Sequence, residues 1–329
     1  MAIRTLTVSA QANGQFLVSW LRARLSLPES DVRRLIREQK VTVAGNLCRN
    51  TEWRVRSGQR IAVELPDRSL SPKVGGKKGE PGSRPVLRYV DDHLIVVDKP
   101  SGLTTMRHAE DVREFGNRAR RFLPSTLQDL LPGLLAAHTG VQPGRIRAVH
   151  RLDKETSGLV VFARTTSAES RLGEQFRAHT IERCYRAIVR GEAVSRRIES
   201  TLVEDRGDGR RGSGISGQRA VTHVTLIERL GAFSLVECRL ETGRTHQVRI
   251  HLGEAGTPLC GERVYDRPLN GRPLPDGSGI ERVALHAVSL GLEHPATGRR
   301  ISWTAPLPTD LSQALERLRR ITPPKTPPT

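Results

Sequence analysis

The chain has 329 residues, long enough for two domains with a sizeable core. Its 53 Lys and Arg residues exceed its 35 Asp and Glu residues by 18, and a field of that sign attracts polyanions. Nucleic acid is therefore favoured over a merely solvated basic surface. No basic amphipathic helix with a strong apolar face, no signal peptide and no membrane-spanning run is evident, and the four cysteines lack metal-ligand or disulfide-framework spacing. We expect a cytoplasmic protein with no membrane partner.

A small basic unit is predicted over residues 12–66. Apolar residues recur at helical spacing in "FLVSWLRARL", and Phe16, Leu17, Trp20, Leu21 and Leu25 share one face. A second helix, "DVRRLIREQK", has an apolar face and a basic face, and two strand-like runs follow it. The basic face carries Arg33, Arg34, Arg37 and Lys40. Residues 1–80 hold 15 basic and 7 acidic residues, which favours RNA binding over a solvated helix face.

Residues 67–85 are rich in Pro, Gly, Ser and Lys, which is typical of a flexible linker. The second domain is predicted over 86–318, and residues 319–329 are predicted to be a disordered tail. The strands of the second domain are arranged as hairpins, so we expect an α+β fold on a mixed, mainly antiparallel sheet with flanking helices. Within it, the arginine-rich segment 103–149 predicts short helices broken by Pro124 and Pro132.

Two clusters can carry chemistry. In "HRLDKETSGLVVFAR", Asp153 lies between Arg151 and Lys154, just before a buried strand. An ionised carboxylate of this kind is either a nucleophile or an ordinary salt-bridge partner. The second cluster, "ETGRTHQVRIHL", contributes Arg244, His246, Arg249 and His251, and Thr245 would share a helix face with Arg249. We expect no metal there, because arginines repel cations and no acidic ligand stands at familiar spacing.

Four segments together resemble the RluA-type pseudouridine synthase family across residues 86–305. They are "DDHLIVVDKPSGL", "HRLDKETSGLVVFAR", "RCYRAIVRG" and "ETGRTHQVRIHL". The front unit resembles the alpha-L RNA-binding domain through "DVRRLIREQKVTVAGNLC" and "VRSGQRIAVE". One departure is that "GQFLVSW" stands where an Arg-Leu-Asp triplet often opens the first helix of that domain.

The resemblance implies a cofactor-free enzyme that isomerises uridines in structured RNA, with large-subunit ribosomal RNA the favoured target. We expect the protein to be monomeric. Asp153 matches the catalytic aspartate, Tyr185 the tyrosine that packs on the base, and Arg249 the residue that pairs with the aspartate. Arg151 matches the arginine that fills the gap left by the flipped nucleotide. Leu285 matches a residue of the uracil pocket, and we expect Arg244 and His246 to contact RNA.

Three alternatives differ in class or target. Transfer RNA is the alternative substrate class. A non-catalytic RNA-binding assembly factor would be favoured by loss of the matched residues, and Asp153, Tyr185 and Arg249 are all present. A methyltransferase would need a glycine-rich loop between a strand and a helix, and the sequence has none. Whether the aspartate attacks the sugar or the base, or removes a ribose proton, stays open.

Overall fold

The computed structural model describes residues 2–25, 29–48, 50–51, 53–65, 84–107, 123–140, 143–206 and 209–321. Predictions for residues 67–83, for 108–122 of the arginine-rich segment and for the tail from 322 onward lie outside these ranges. The chain forms two compact units, a front unit and a larger unit, which are considered separately.

The front unit is a four-stranded antiparallel sheet with two helices. Its elements are β1 (Ala2–Thr7), a 3-10 turn (Ala10–Ala12), α1 (Leu17–Leu25), α2 (Glu29–Arg37), β2 (Val41–Val43), β3 (Asn46–Leu47) and β4 (Arg60–Leu65). The strand order is β1-β4-β2-β3. The apolar faces of the two helices meet in a core that includes Leu17, Leu21, Val32 and Ile36.

Two predictions for the front unit need correction. Its start at residue 12 is too late, because β1 pairs with β4 from Ala2 to Thr7. The six residues of this strand, AIRTLT, do not alternate strictly between apolar and polar, so the sequence carries only a weak strand pattern. Phe16 does not join the buried helix face, because it precedes α1 and is 39% exposed. The guanidinium of Arg54 lies over its ring, 4.1 Å from the centroid.

The described strands of the larger unit form an eleven-stranded sheet. They are β5 (Val86–Val90), β6 (Leu94–Lys99), β7 (Arg147–Ala148), β8 (Ser157–Ala163), β9 (Glu182–Arg190), β10 (Arg196–Val203), β11 (Gly212–Ser213), β12 (Gln218–Leu230), β13 (Phe233–Leu240), β14 (Leu285–Glu293) and β15 (Arg300–Thr304). The main order is β11-β10-β12-β13-β9-β14-β8-β6-β5, with β15 on β14 and β7 on β8. The pairing of β14 with β8 is parallel and the others are antiparallel, so the predicted mixed, mainly antiparallel sheet is confirmed.

Two backbones approach closely where β8 begins beside β14. Gly158 has a φ of 112°, and an added Cβ would overlap the backbone of Ala287. Only glycine satisfies both constraints. This residue therefore brings the start of β8, and the loop before it, next to β14.

The helices of the larger unit are α3 (Leu127–Thr139), α4 (Thr166–Arg177), α5 (Gln247–Glu254) and α6 (Thr309–Ile321). Alternation along the strands divides the core between the two faces of the sheet. Ile95 and Val97 of β6 pack in a cluster with α3 and α5, whereas Leu94 and Val96 pack in one with α4. Among the residues described, no helix is long and apolar enough to cross a membrane.

Two helix predictions are wrong in detail. Pro132 lies inside α3 and does not break it, because a capping box between Thr126 and Asp129 secures its start and buried leucines hold its length. The predicted tail also begins too early, because α6 continues to Ile321 and buries Leu318.

Candidate active site

Asp153 lies in the loop between β7 and β8, and backbone contacts hold that loop in place. The hydroxyl of Thr105 donates to the carbonyl oxygen of Leu152 (2.8 Å) and accepts from its N–H (3.1 Å). The N–H of Thr156 donates to the carbonyl oxygen of Asp153 (3.1 Å). The direction of the Asp153 side chain is therefore set by a loop with little freedom.

Lys99, at the end of β6, supports the same loop from inside the protein. Its side chain is fully buried, and Nζ donates to the carbonyl oxygens of Pro100 (3.0 Å), Leu103 (2.8 Å) and Lys154 (3.2 Å). Burial lowers the pKa of Lys99 to about 7, although the nearby Asp153 opposes this change. The three carbonyl acceptors also favour the charged ammonium.

A cavity of about 420 Å³ opens beside Asp153. Its lining includes all seven site residues predicted for the larger unit: Arg151, Asp153, Tyr185, Arg244, His246, Arg249 and Leu285. Leu152, Val248 and Leu240 add apolar surface, and Arg177, His179 and Arg183 add basic groups. The structure thus brings together residues that lie up to 134 positions apart in the sequence.

Tyr185 and Leu285 form a buried wall of this cavity. Ala287 of β14 pairs with Tyr185 of β9, and Leu285 pairs with Ala187, so both side chains come from adjacent strands. Burial raises the pKa of Tyr185 to about 12, and the hydroxyl is therefore neutral at physiological pH. An aromatic face beside an aliphatic side chain suits a flat heterocycle.

Arg249 is buried in α5, and its closest partner is Glu262. Its Nε and Nη2 donate to the two carboxylate oxygens of Glu262 (2.7 and 2.9 Å), while Nη1 lies 3.7 Å from Oδ2 of Asp153. Burial disfavours the charge of Arg249, but Glu262 and Asp153 outweigh this and raise its pKa. The ion pair with Asp153 that the family resemblance implies is therefore a longer contact, made by an arginine that Glu262 holds in place.

His246 lies at the start of α5, beside the carboxylate of Asp153. Its Nε2 is 3.8 Å from Oδ1 of Asp153, and its Nδ1 shares a 2.8 Å hydrogen bond with the hydroxyl of Tyr265. Its backbone is left-handed, with a φ of 58°, which is uncommon for a residue other than glycine. Because the helix begins at Gln247, the expectation that Thr245 and Arg249 share a helix face is wrong.

Glu262, Tyr265, Lys99 and Arg183 belong to the site but were missed in the sequence. Glu262 and Tyr265 lie in "GERVYD", which follows the last cavity residue of α5 without a recognisable pattern. The sequence does mark the other two residues. Lys99 is a charged residue at the end of a buried strand, just before a proline, and Arg183 lies two residues before Tyr185.

The other predicted RNA-binding residues belong to the front unit. Arg33 is half-buried on α2, and Arg37 is exposed. Lys40 pairs with Glu38 at 2.7 Å. The side chain of Arg34 lies outside the described part of the chain. In the part that is described, no three His, Cys, Asp or Glu side chains are grouped so that they could hold a metal ion.

Comparison with known proteins identifies the family. The model for RNA pseudouridylate synthase matches residues 93–254. Ribosomal large subunit pseudouridine synthase D of Zymomonas mobilis is 36% identical over 83% of this chain and 84% of its own length. The protein of that name from Pseudomonas aeruginosa is 32% identical over 97% of both chains.

A solved structure supports the same fold. Human RNA Pseudouridylate Synthase Domain Containing 4 superposes with a TM-score of 0.56 and 24% identity, covering 71% of this chain and 92% of its own. At that identity the likeness concerns the fold. The family match and the two bacterial relatives show that this chain belongs to the RluA-type family and is an RNA pseudouridine synthase.

Proposed function

We propose that this enzyme isomerises uridines in large-subunit ribosomal RNA and that Asp153 is its catalytic carboxylate. One observation carries the second part: of the described residues that line the cavity, Asp153 alone has a carboxylate. The first part is supported by relatives named ribosomal large subunit pseudouridine synthase D, which align over most of this chain.

The reaction breaks the bond between C1′ and N1 of uridine, turns the uracil, and joins C1′ to C5. A proton leaves C5 and N1 gains one, so no oxidant or reductant is consumed. Asp153 can begin this sequence by attacking the sugar, by attacking the base, or by removing a ribose proton. Tyr185 and Leu285 would hold the detached base, and Arg249 and His246 would keep the carboxylate oriented.

The target base must leave its stack to reach this cavity. Flipping a nucleotide costs a few kcal/mol, and a side chain that fills the gap offsets part of that cost. We assign this role to Arg151, which is exposed and two residues from Asp153. Arg244, half-buried in the same cavity, would contact the RNA backbone.

For the front unit we propose an alpha-L RNA-binding role that supplies affinity. Support comes from its compact core, from the basic residues of α2 and from the net charge of +8 over residues 1–80. The unit would extend to residue 66, followed by a linker over 67–85 and the catalytic domain from 86. A cytoplasmic location and a monomeric state stay predictions, and light scattering during size-exclusion chromatography tests the latter.

Mapping pseudouridine in total RNA from cells with and without the gene tests the target. We expect specific large-subunit ribosomal sites to disappear, whereas loss of transfer-RNA sites would favour the alternative substrate. Wild-type protein and an Asp92→Asn control, altered at an exposed turn residue, should restore the sites.

An Asp153→Asn variant should restore none of them while binding RNA within a few-fold of wild type. Normal modification by Asp153→Asn would overturn the catalytic assignment. If gene loss removes no pseudouridine and the purified protein still binds RNA, the non-catalytic assembly factor would be favoured.

A further inference from the structure

Arg183 is a basic residue of the cavity for which the reaction scheme above has no role. It lies on β9, two residues before Tyr185, and its side chain lines the same cavity. Within the described ranges, its Nε is buried without a hydrogen-bond partner, and Nη2 has only a long 3.5 Å contact with the carbonyl oxygen of Glu241. None of the described carboxylates lies within ion-pair distance of it.

A cation buried without an acid is unfavourable unless an anion joins it. Burial lowers the pKa of Arg183, and the nearby Arg244 acts in the same direction. Most other half-buried arginines of this unit have a carboxylate, as Arg186 has Glu237 and Arg206 has Glu254. Arg183 therefore carries a charge that no described carboxylate compensates.

The neighbours of Arg183 hold its guanidinium rather than neutralise it. The ring of Phe176 lies 5.7 Å from its central carbon. An added Cβ at Gly243 would overlap Nη1, so the missing side chain leaves the space that the guanidinium fills. Arg244 and His179 also line this part of the cavity, and Arg244 is fixed through Nε to the carbonyl oxygen of Arg219 (3.1 Å).

We propose that Arg183, together with Arg244, binds a phosphodiester next to the target uridine and so fixes the flipped nucleotide in the cavity. This rests on the proposed function, because it names the part of the RNA that these residues recognise. Two adjacent guanidiniums match an anion with several acceptor oxygens better than they match a neutral uracil carbonyl. Arg183 is thus a substrate-binding residue that sets the position of the nucleotide relative to Asp153.

The test uses a synthetic RNA hairpin that contains a uridine mapped in the cellular experiment. One hairpin has normal linkages, and two others carry a single uncharged methylphosphonate on the 5′ or the 3′ side of that uridine. We expect Arg183→Gln to lower kcat/KM on the normal hairpin by about 10- to 100-fold, the size expected for one charge-assisted hydrogen bond. With one of the two methylphosphonate hairpins, wild type and Arg183→Gln should react at similar, low rates.

Three further variants separate binding from a general structural effect. Gly243→Ala should displace the guanidinium at little cost in stability, because the overlap is with the end of a flexible side chain and the φ of Gly243 is not left-handed. It should reproduce the loss, and adding it to Arg183→Gln should lower the rate no further. Arg183→Lys should recover part of the rate. Arg239→Gln, on the exposed surface of neighbouring β13, should match wild type.

The outcomes are distinct. If wild type forms no pseudouridine in the normal hairpin, the proposed function fails before Arg183 is tested. If wild type is active and Arg183→Gln loses the same factor on all three hairpins, the phosphodiester contact is refuted and a uracil contact or a structural role replaces it. Additive losses for Gly243→Ala and Arg183→Gln would also refute it. If wild type and Arg183→Gln react at similar rates on only one of the two methylphosphonate hairpins, the proposal is supported and the contacted phosphate is identified.

Discussion

Replacing Glu262 by Gln tests whether a buried carboxylate that lies outside the sequence motifs positions the active-site arginine. The side chain of Glu262 is fully buried. Its Oε1 accepts from Nη2 of Arg249 and from the backbone N–H groups of Arg263 (3.0 Å), Val264 (2.9 Å) and Tyr265 (3.3 Å). Its Oε2 accepts from Nε of Arg249 at 2.7 Å.

These contacts set the expected loss of stability and activity in Glu262→Gln. A glutamine oxygen can keep the backbone contacts, but its NH2 group then faces the Nε–H of Arg249, donor against donor. Breaking a buried ion pair costs about 3–5 kcal/mol, and the retained acceptor places this variant near the lower end, at about 3 kcal/mol. Because Arg249 would no longer be held 3.7 Å from Asp153, we also expect kcat/KM to fall by at least ~10-fold, the effect of about 1.4 kcal/mol.

Urea titration gives the free energy of unfolding, and pseudouridine formation in the mapped hairpin gives kcat/KM. Glu254→Gln is the matched control, because Glu254 also pairs with an arginine and accepts from Ser213 but does not line the cavity. It should lose about 1 kcal/mol and keep its rate. If Glu262→Gln stays within 1 kcal/mol of wild type with an unchanged rate, Arg249 does not depend on this ion pair.

Three other predictions concern Arg249, the front unit and His251. Arg249→Ala should greatly reduce the rate while RNA binding stays within a few-fold, and equal losses in rate and binding would contradict its placement beside Asp153. Deleting residues 1–80 should weaken RNA binding and reduce the slope of log affinity against log salt concentration by roughly 0.7–0.9 per lost phosphate contact. The single-turnover rate at saturating RNA should change little. An unchanged slope with a large loss of that rate would refute the affinity role. Burial lowers the pKa of His251 to about 4 from an unfolded value of 6.5, so its stabilising contribution is complete above pH 6.5 and is lost as the pH falls toward 4. Urea titrations should show the free energy of unfolding falling by at most about 1.4 kcal/mol per pH unit from this residue, and the fall should be smaller in His251→Gln. Identical pH profiles for the two proteins would exclude a contribution from His251.

Local sequence determined much of the secondary structure. The alternation in "LIVVDK" and "GLVVFA" gives strands whose successive side chains enter opposite cores, and this follows from the strand period alone. The ends of helices and strands could not be predicted from the sequence where tertiary contacts determine them. β1 is a strand because β4 offers it a partner, and Pro132 stays within α3 because packing and the cap outweigh one missing hydrogen bond.

For the site, the sequence determined which residues carry charge and where the distinctive motifs lie, so Asp153, Tyr185 and Arg249 could be named from it. Only the tertiary structure decided what surrounds them. Glu262 reaches Arg249 across 13 positions, Tyr265 reaches His246 across 19, and Lys99 reaches the Asp153 loop across 55. Contacts over such separations depend on how strands and loops meet in space, and no local periodicity or propensity encodes that meeting.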